Sequence, residues 1–214
     1  MSDEPLHPTR AIERYSESPV FRALVTAIPY LGGSIDALFG QWGAEIAQRR
    51  FRVLLEELAK ETARLDASKV DKAFLDSEEF VDLFTRAARE AARSRHREKV
   101  RLFARILAGR ACVDWSGSTD AEEILDVLAG LSLRQISIMV RMWNRAHGHQ
   151  LIEEVLPEHD ERPFDYQRLV VMGLLSDRTP SVDHPGRLGQ GYQMTDAFRT
   201  IMRAVEMQES TDPA

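Results

Sequence analysis

Apolar side chains recur every three or four residues along most of this chain, with charged side chains between them, so the pattern predicts amphipathic helices. A first apolar stretch, 20–39, is broken by Pro29 and Gly32-Gly33. Ser34 then stands where it can cap a long helix with Ile35, Leu38, Phe39, Trp42, Ile46, Leu54, Leu58 and Leu65 on one stripe. Asp76 with Glu79 reads as a capping box, opening a helix whose core face holds Phe80, Phe84, Ala87 and Ala91, with Val81 and Ala88 beside it. The apolar phase then slips. From Lys99 onward the inward set becomes Val100, Phe103, Ile106 and Leu107, which predicts a turn or kink near Ser94 to Arg97.

Further on, Thr119 with Glu122 predicts a second capping box before a short acidic helix that stops at Gly130. Ser132 with Gln135 predicts a third, opening a helix with Leu133, Ile136, Val140 and Trp143 inward and its end at His147-Gly148. Another apolar helix is expected over about Phe164 to Leu175. The next stretch, 176–190, is rich in Pro, Gly, Asp and Ser, and Tyr192-Gln193-Met194 reads as extended, which together signal a β-hairpin. Thr195 is placed to cap a last helix with Phe198, Ile201, Met202 and Val205 facing in.

Helix, connector, helix, hairpin and helix over 131–207 resemble a winged-helix domain. Arg168-Leu169-Val170-Val171-Met172-Gly173-Leu174-Leu175 leads into the hairpin and Tyr192-Gln193-Met194-Thr195 leads out of it. The fold class expected is therefore mainly α: an N-terminal helical bundle over 19–130, then a winged-helix-like α+β domain over 131–207 with one β-hairpin. Residues 1–18 read as a disordered leader and 208–214 as a tail. In winged helices the second helix of a helix-turn-helix enters the major groove and the hairpin touches backbone. That resemblance implies Gln167, Arg168, Arg178 and Arg187 as DNA contacts. Phosphate neutralisation supplies most DNA affinity, and Glu153, Glu154, Glu158, Asp160, Glu161 and Asp165 just ahead of the helix oppose it. A protein–protein adaptor role fits this chemistry better.

Composition narrows the classes. With 214 residues and 43% hydrophobic content the chain can bury a core. Its net charge of −6 argues against indiscriminate nucleic-acid binding, although charge is distributed unevenly. The single cysteine, Cys112, allows no internal disulfide and reads as a structural thiol, so a cytoplasmic location is expected. Arg22, Pro29, Gly32, Gly33 and Asp36 interrupt the apolar N-terminal stretch short of a membrane span. Peripheral membrane contact through 20–42 stays open on Phe21, Leu24, Ile28, Tyr30, Leu31 and Trp42.

Arginine outnumbers lysine 24 to 4, and Arg86, Arg89, Arg93, Arg97, Arg101 and Arg105 recur at helical spacing. Such a row could contact phosphate, nucleic acid or acidic lipid through paired guanidinium donors. The phase slip near Ser94 would split it into two patches. The opposite reading is a solvated face, partly neutralised by Asp114, Asp120, Glu122, Glu123 and Asp126.

Enzyme chemistry finds little support. Arg89 and His96 have a spacing that resembles the arginine–histidine ribonuclease motif of HEPN domains, but this composition produces such spacings by chance. His147, His149, Glu153 and His159 lack tight metal-ligand spacing, and Gly32-Gly33 lacks the lysine and hydroxyl of a P-loop. No catalytic residue, metal site, cofactor or small-molecule substrate is therefore assigned.

Three segments together, Leu75-Asp76-Ser77-Glu78-Glu79-Phe80, Lys99-Val100-Arg101-Leu102-Phe103-Ala104-Arg105-Ile106-Leu107 and the Met172 to Thr195 ending, resemble bacterial helical proteins of the abortive-infection alpha type. The resemblance implies a role in antiphage defence or a related stress response and transfers no catalytic residue. The leading expectation is a non-enzymatic interaction or adaptor module that docks on a partner protein or its own copy. A winged-helix transcriptional regulator, a HEPN-like ribonuclease and a membrane-acting effector follow as alternatives.

Overall fold

A computed structural model describes residues 44–63, 65–113, 115, 120–147, 163–178 and 191–206. The expected leader 1–18, the apolar stretch 20–42 with its Ser34 cap, Thr119, His149 to Glu161, Arg187 and the tail 208–214 lie outside these residues. Among the described residues the fold is mainly helical, with eight α-helices and one two-stranded antiparallel sheet. They divide into two compact units, one holding the described residues up to Ala129 and the other Gly130–Glu206.

The first unit is built on α1, Ala44–Thr62. Its buried apolar side chains are Ala47, Phe51, Leu54, Leu55, Leu58 and Ala59, spaced as one helical stripe. Ile46, expected on that stripe, is 58% exposed. One position is about 100° of helix rotation, and the smaller Ala47 with Phe51 holds the inward phase instead.

Two aspartates punctuate the next stretch. Asp66 Oδ1 accepts from the Ser68 N–H at 2.9 Å to start a short 3-10 turn, Ala67–Lys69. Asp71 accepts from Phe74 at 3.0 Å to start α2, Lys72–Leu75. Helix α3 spans Glu78–Arg93 and is capped by Ser77, whose Oγ accepts from the Phe80 N–H at 3.3 Å. The expected cap, Asp76, is instead the residue that ends α2, where its own N–H donates to the carbonyl oxygens of Lys72 and Phe74.

Phe80, Leu83, Phe84, Ala87, Ala88, Ala91 and Ala92 form the inward face of α3. Phe84 meets Phe51 of α1 edge-on, with ring centres 6.2 Å apart, and Phe80 meets Phe74 at 5.7 Å. The run of alanines leaves room for a neighbouring helix to lie close. That neighbour is α4, Arg97–Arg110, joined to α3 through Ser94 to His96, where the turn was expected. Every residue from Leu102 to Gly109 is buried, so this part of α4 has no solvent-facing side, and α1 and α3 pack against the helix. Val70 and Cys112 pair as an isolated bridge, with Asp71 N–H on the Ala111 carbonyl at 2.8 Å and Val113 N–H on that of Lys69 at 2.8 Å. Helix α5, Ala121–Gly130, starts at Asp120, whose carboxylate accepts from Glu122 at 2.9 Å and whose carbonyl accepts from Ile124 at 3.1 Å. The start is thus one residue later than the Thr119 box implies.

In the second unit α6, Leu133–His147, opens with a reciprocal capping box. Ser132 N–H donates to Gln135 Oε1 at 2.9 Å, and Gln135 N–H donates to Ser132 Oγ at 3.3 Å. Leu133, Ile136, Val140 and Trp143 are buried, as the pattern predicts. Helix α7, Pro163–Val171, has proline at its first position, where no backbone N–H is needed. It ends four residues before the expected limit. Gly173 takes φ +72°, its N–H bonds the Val170 carbonyl at 2.9 Å, and the Leu174 N–H bonds that of Leu169 at 2.9 Å.

Strand β1, Leu175–Arg178, then pairs antiparallel with β2, Gly191–Met194, with Leu175 opposite Met194 and Asp177 opposite Tyr192. The expected hairpin strands are therefore present. Thr195 Oγ1 accepts from Phe198 at 3.2 Å to cap α8, Asp196–Glu206, and donates to the carbonyls of Gly173 at 2.8 Å and Leu174 at 2.9 Å. Phe198, Ile201, Met202 and Val205 are buried. Trp143 Nε1 donates to Glu206 Oε2 at 3.1 Å, joining α6 to α8. No helix among the described residues is long and apolar enough to cross a membrane.

Candidate functional site

The arginine row is where charge concentrates, and the structure sorts its members by what they face. On α4, Arg97 Nε donates to Glu57 Oε1 at 2.8 Å, and its Nη2 reaches Glu56 Oε2 at 3.1 Å. One turn on, Arg101 Nε lies 3.0 Å from Glu61 Oε1. A further turn brings Arg105 Nε to 3.3 Å from Glu61 Oε2, with both side chains 1% exposed. Residue numbers rise together on the two helices, so α1 and α4 run parallel and the carboxylates of one ladder the guanidiniums of the other.

Electrostatics on this ladder follow burial and pairing. Burial pushes the Glu57 carboxyl up, but hydrogen bonds and charge from Lys60 and Arg97 outweigh it and hold the group below its usual range. The same hydrogen bond raises Arg97, against its partial burial. Beside the ladder, Lys99 donates to the Ala129 carbonyl at 2.6 Å at the end of α5, and burial pushes its ammonium down, opposed by Glu90.

The rest of the row lies on α3. Arg86 pairs with Glu122 and, through Nε at 2.9 Å, with Asp126, both on α5. Arg93 bonds Glu90 of its own helix at 2.9 Å. Arg89 is exposed, and no carboxylate among the described residues pairs with it. The six arginines therefore do not form one anion surface. Arg105 is enclosed and cannot meet a surface ligand, and Arg86, Arg97 and Arg101 already face carboxylates on other helices. The acids of α5 that sequence pointed to, Glu122 and Asp126, neutralise one arginine only. Glu56, Glu57 and Glu61, which do most of the pairing, stand about 40 residues upstream and gave no local signal.

Among the implied DNA contacts, Gln167 and Arg168 are exposed side by side on α7. Arg178 ends β1, its side chain lying outside the described residues together with Arg187. Sequence reasoning missed the neighbours of Gln167 and Arg168. Phe164 is 65% exposed and Val171 is 87% exposed, and the four residues fall at i, i+3, i+4 and i+7 on one outward stripe. The inward side of the helix carries Leu169 and Asp165, with Arg134 of α6 3.6 Å from Asp165 Oδ2. Tyr166 stacks on Tyr192 of β2 at 4.8 Å, bracing helix against hairpin.

His96 is exposed at the start of α4, and no hydrogen bond or ion pair joins it to Arg89. The His147 ring lies against that of Trp143, with ring centres 3.8 Å apart and the planes tilted by 31°, and its Nδ1 lies 3.0 Å from the Trp143 carbonyl. Cys112 is half-buried with Sγ 3.6 Å from the Ala108 carbonyl. Among the described residues no three His, Cys, Asp or Glu side chains are grouped to hold a metal ion. Comparison of the chain with protein-family models, with curated proteins and with solved structures finds no match.

Proposed function

We propose that the chain is a non-enzymatic interaction module whose second unit docks the outward stripe of α7 onto a protein surface, either a partner or a second copy of the chain. One observation carries the reading: Phe164 and Val171 are held in solvent on the same stripe, at the two ends of a helix only nine residues long. Exposed large apolar side chains paired on one face suit the desolvated centre of a protein interface, with Gln167 and Arg168 between them supplying polar contacts. The order of helix, helix, hairpin and helix in this unit supports a winged-helix reading, a fold that serves adaptors as well as DNA readers. The resemblance to abortive-infection proteins supports placing the module in antiphage defence or a stress response.

Light scattering on the intact chain, repeated with Val171→Glu, tests the proposal. A wild-type dimer that becomes a monomer in the variant supports docking of one copy on another. If both are monomers, the reading requires a stoichiometric host protein retained by the wild-type chain and lost by Val171→Glu. Capture indifferent to that substitution overturns it. The DNA-reading alternative has Gln167 and Arg168 in its favour, and Arg168→Glu leaving any duplex affinity intact counts against it.

A further inference from the structure

The outward stripe of α7 has a symmetry of its own. Successive residues of an α-helix turn by about 100°, so Phe164 and Val171 point within about 20° of each other from opposite ends of the helix. Gln167 and Arg168 lie between them along the axis, about 50° to either side of the line that joins them. The stripe is thus an apolar centre line with one neutral flank and one cationic flank. All four side chains are exposed. Asp165, the acid of this helix, is turned inward, 8% exposed, with Arg134 3.6 Å from its Oδ2, so the stripe itself presents no carboxylate. Such a surface can meet a copy of itself in two two-fold arrangements. With the helices parallel, the axis runs along them and exchanges the flanks, so that Gln167 of each copy faces Arg168 of the other while Phe164 faces Phe164 and Val171 faces Val171. With the helices antiparallel, each flank stays on its own side and Arg168 is set against Arg168.

We propose that α7 is the two-fold contact of a homodimer in which the α7 helices of two copies lie side by side and parallel. The inference rests on the reading of α7 as a docking surface and names its occupant as a second copy of the chain. Parallel pairing gives each Arg168 guanidinium a carbonyl oxygen to donate to, the Gln167 side chain of the other copy, twice by symmetry. It also brings Phe164 and Val171 out of water together, at the interaxial distance of about 8–10 Å usual for packed helices. Antiparallel pairing would bury the same apolar side chains but bring two guanidiniums together beside them, where water screens charge poorly. Two chains of net charge −6 repel one another overall, and a stripe that carries a cation and no acid is a place where they can approach. A nine-residue helix offers less than the roughly 1,200 Å² of total buried surface typical of a stable interface, so the dimer is weak and forms as concentration rises.

Sedimentation equilibrium of the intact chain, carried to about 0.5 mM because an interface of this size can be that weak, tests the arrangement through Gln167→Glu. Residue 167 is exposed, and the positions three and four residues away on its own helix, Pro163, Phe164, Val170 and Val171, carry no charge, so the new carboxylate gains no partner there. In the parallel dimer it meets Arg168 of the other copy twice, and two exposed ion pairs together tighten association by about three- to tenfold, a gain that fades in about 1 M salt. Val171→Glu abolishes the dimer, and circular dichroism equal to that of the parent shows that both variants fold. A dimer that Val171→Glu disrupts but Gln167→Glu weakens or leaves unchanged overturns the parallel arrangement while leaving α7 as a docking surface. A chain that stays monomeric at about 0.5 mM rules out the second copy as occupant and leaves the docking reading to be decided by a host protein. A dimer indifferent to Val171→Glu overturns the contact itself.

Discussion

Replacing Glu61 by leucine is expected to destabilise the first unit far more than replacing Glu61 and Arg105 together. Both side chains are 1% exposed, and Glu61 divides its two oxygens between Arg105 and Arg101. Removing the carboxylate leaves a guanidinium in the interior without the anion it faces, and breaking a buried pair from one side costs about 3–5 kcal/mol. With a urea slope of about 2 kcal/mol per molar, the midpoint falls by roughly 2 M. Arg105→Met strands Glu61 less completely, because Arg101 is 23% exposed and stays beside it, so its loss is smaller, about 2 kcal/mol. In Glu61→Leu/Arg105→Met neither charge remains inside, Arg101 can turn to water, and stability returns to within about 1 kcal/mol of the parent. Urea titration followed by circular dichroism measures all four chains, and peptide-level hydrogen exchange over α1 and α4 locates the change. A double variant as unstable as the sum of the singles would refute the reasoning, since these side chains would then contribute by packing and not as a charge pair.

Two further outcomes follow from the same structure. Glu57 has its carboxyl held below the ordinary value of 4.5, so the unfolded chain binds the extra proton first; the stabilisation is complete above about pH 4.5 and disappears as pH falls through the lower folded value. Glu57→Gln should flatten that acid limb in an acid-unfolding curve, and an unchanged limb would remove Glu57 from the account. Gly173, at φ +72° with nothing within 4 Å of where a Cβ would stand, should tolerate asparagine at a cost of a few tenths of a kcal/mol and lose about 1–2 kcal/mol as valine, because the penalty is conformational and not a clash. Equal midpoints for the two variants in thermal unfolding would show that the turn relaxes.

What could be read from the sequence was what neighbours in the chain decide. The Ser132–Gln135 box, the Thr195 cap, the turn after Arg93 and the inward residues of α6 and α8 are set within a few positions of one another, and local pattern finds them. Ser77 and Asp76 are both competent caps. Choosing between them needed α2, a helix of four residues too short to show a period. On α1 the apolar phase of the upstream residues leads to Ile46, which is exposed, whereas the buried Phe51 is masked in the pattern by Arg49, Arg50 and Arg52 around it. The pairing of Arg97, Arg101 and Arg105 was out of reach for a different reason. Regularly spaced arginine looks the same whether it faces water or a carboxylate brought in by a helix 40 to 44 residues earlier. For α7 only the presence of an apolar helix was legible, and the exposure of Phe164 and Val171 contradicts the rule by which such residues are assigned to a core.

Because α1 and α4 are parallel, their ladder also acts as a one-way stop. Advance α4 by one turn, about 5.4 Å, so that Arg97 comes level with Glu61, and Arg101 takes the place Arg105 now holds while Arg105 passes beyond the last turn of α1, which ends at Thr62. The enclosed Arg105 would then lie against no carboxylate of that helix and lose its buried pair with Glu61. A slide the other way sets Arg101 against Glu57 and keeps Arg105 on Glu61, freeing only Arg97, which is already 54% exposed and can hydrate. Charge alone thus behaves as a pawl, blocking misalignment in one direction and leaving the other to the packing of the buried apolar side chains of α4.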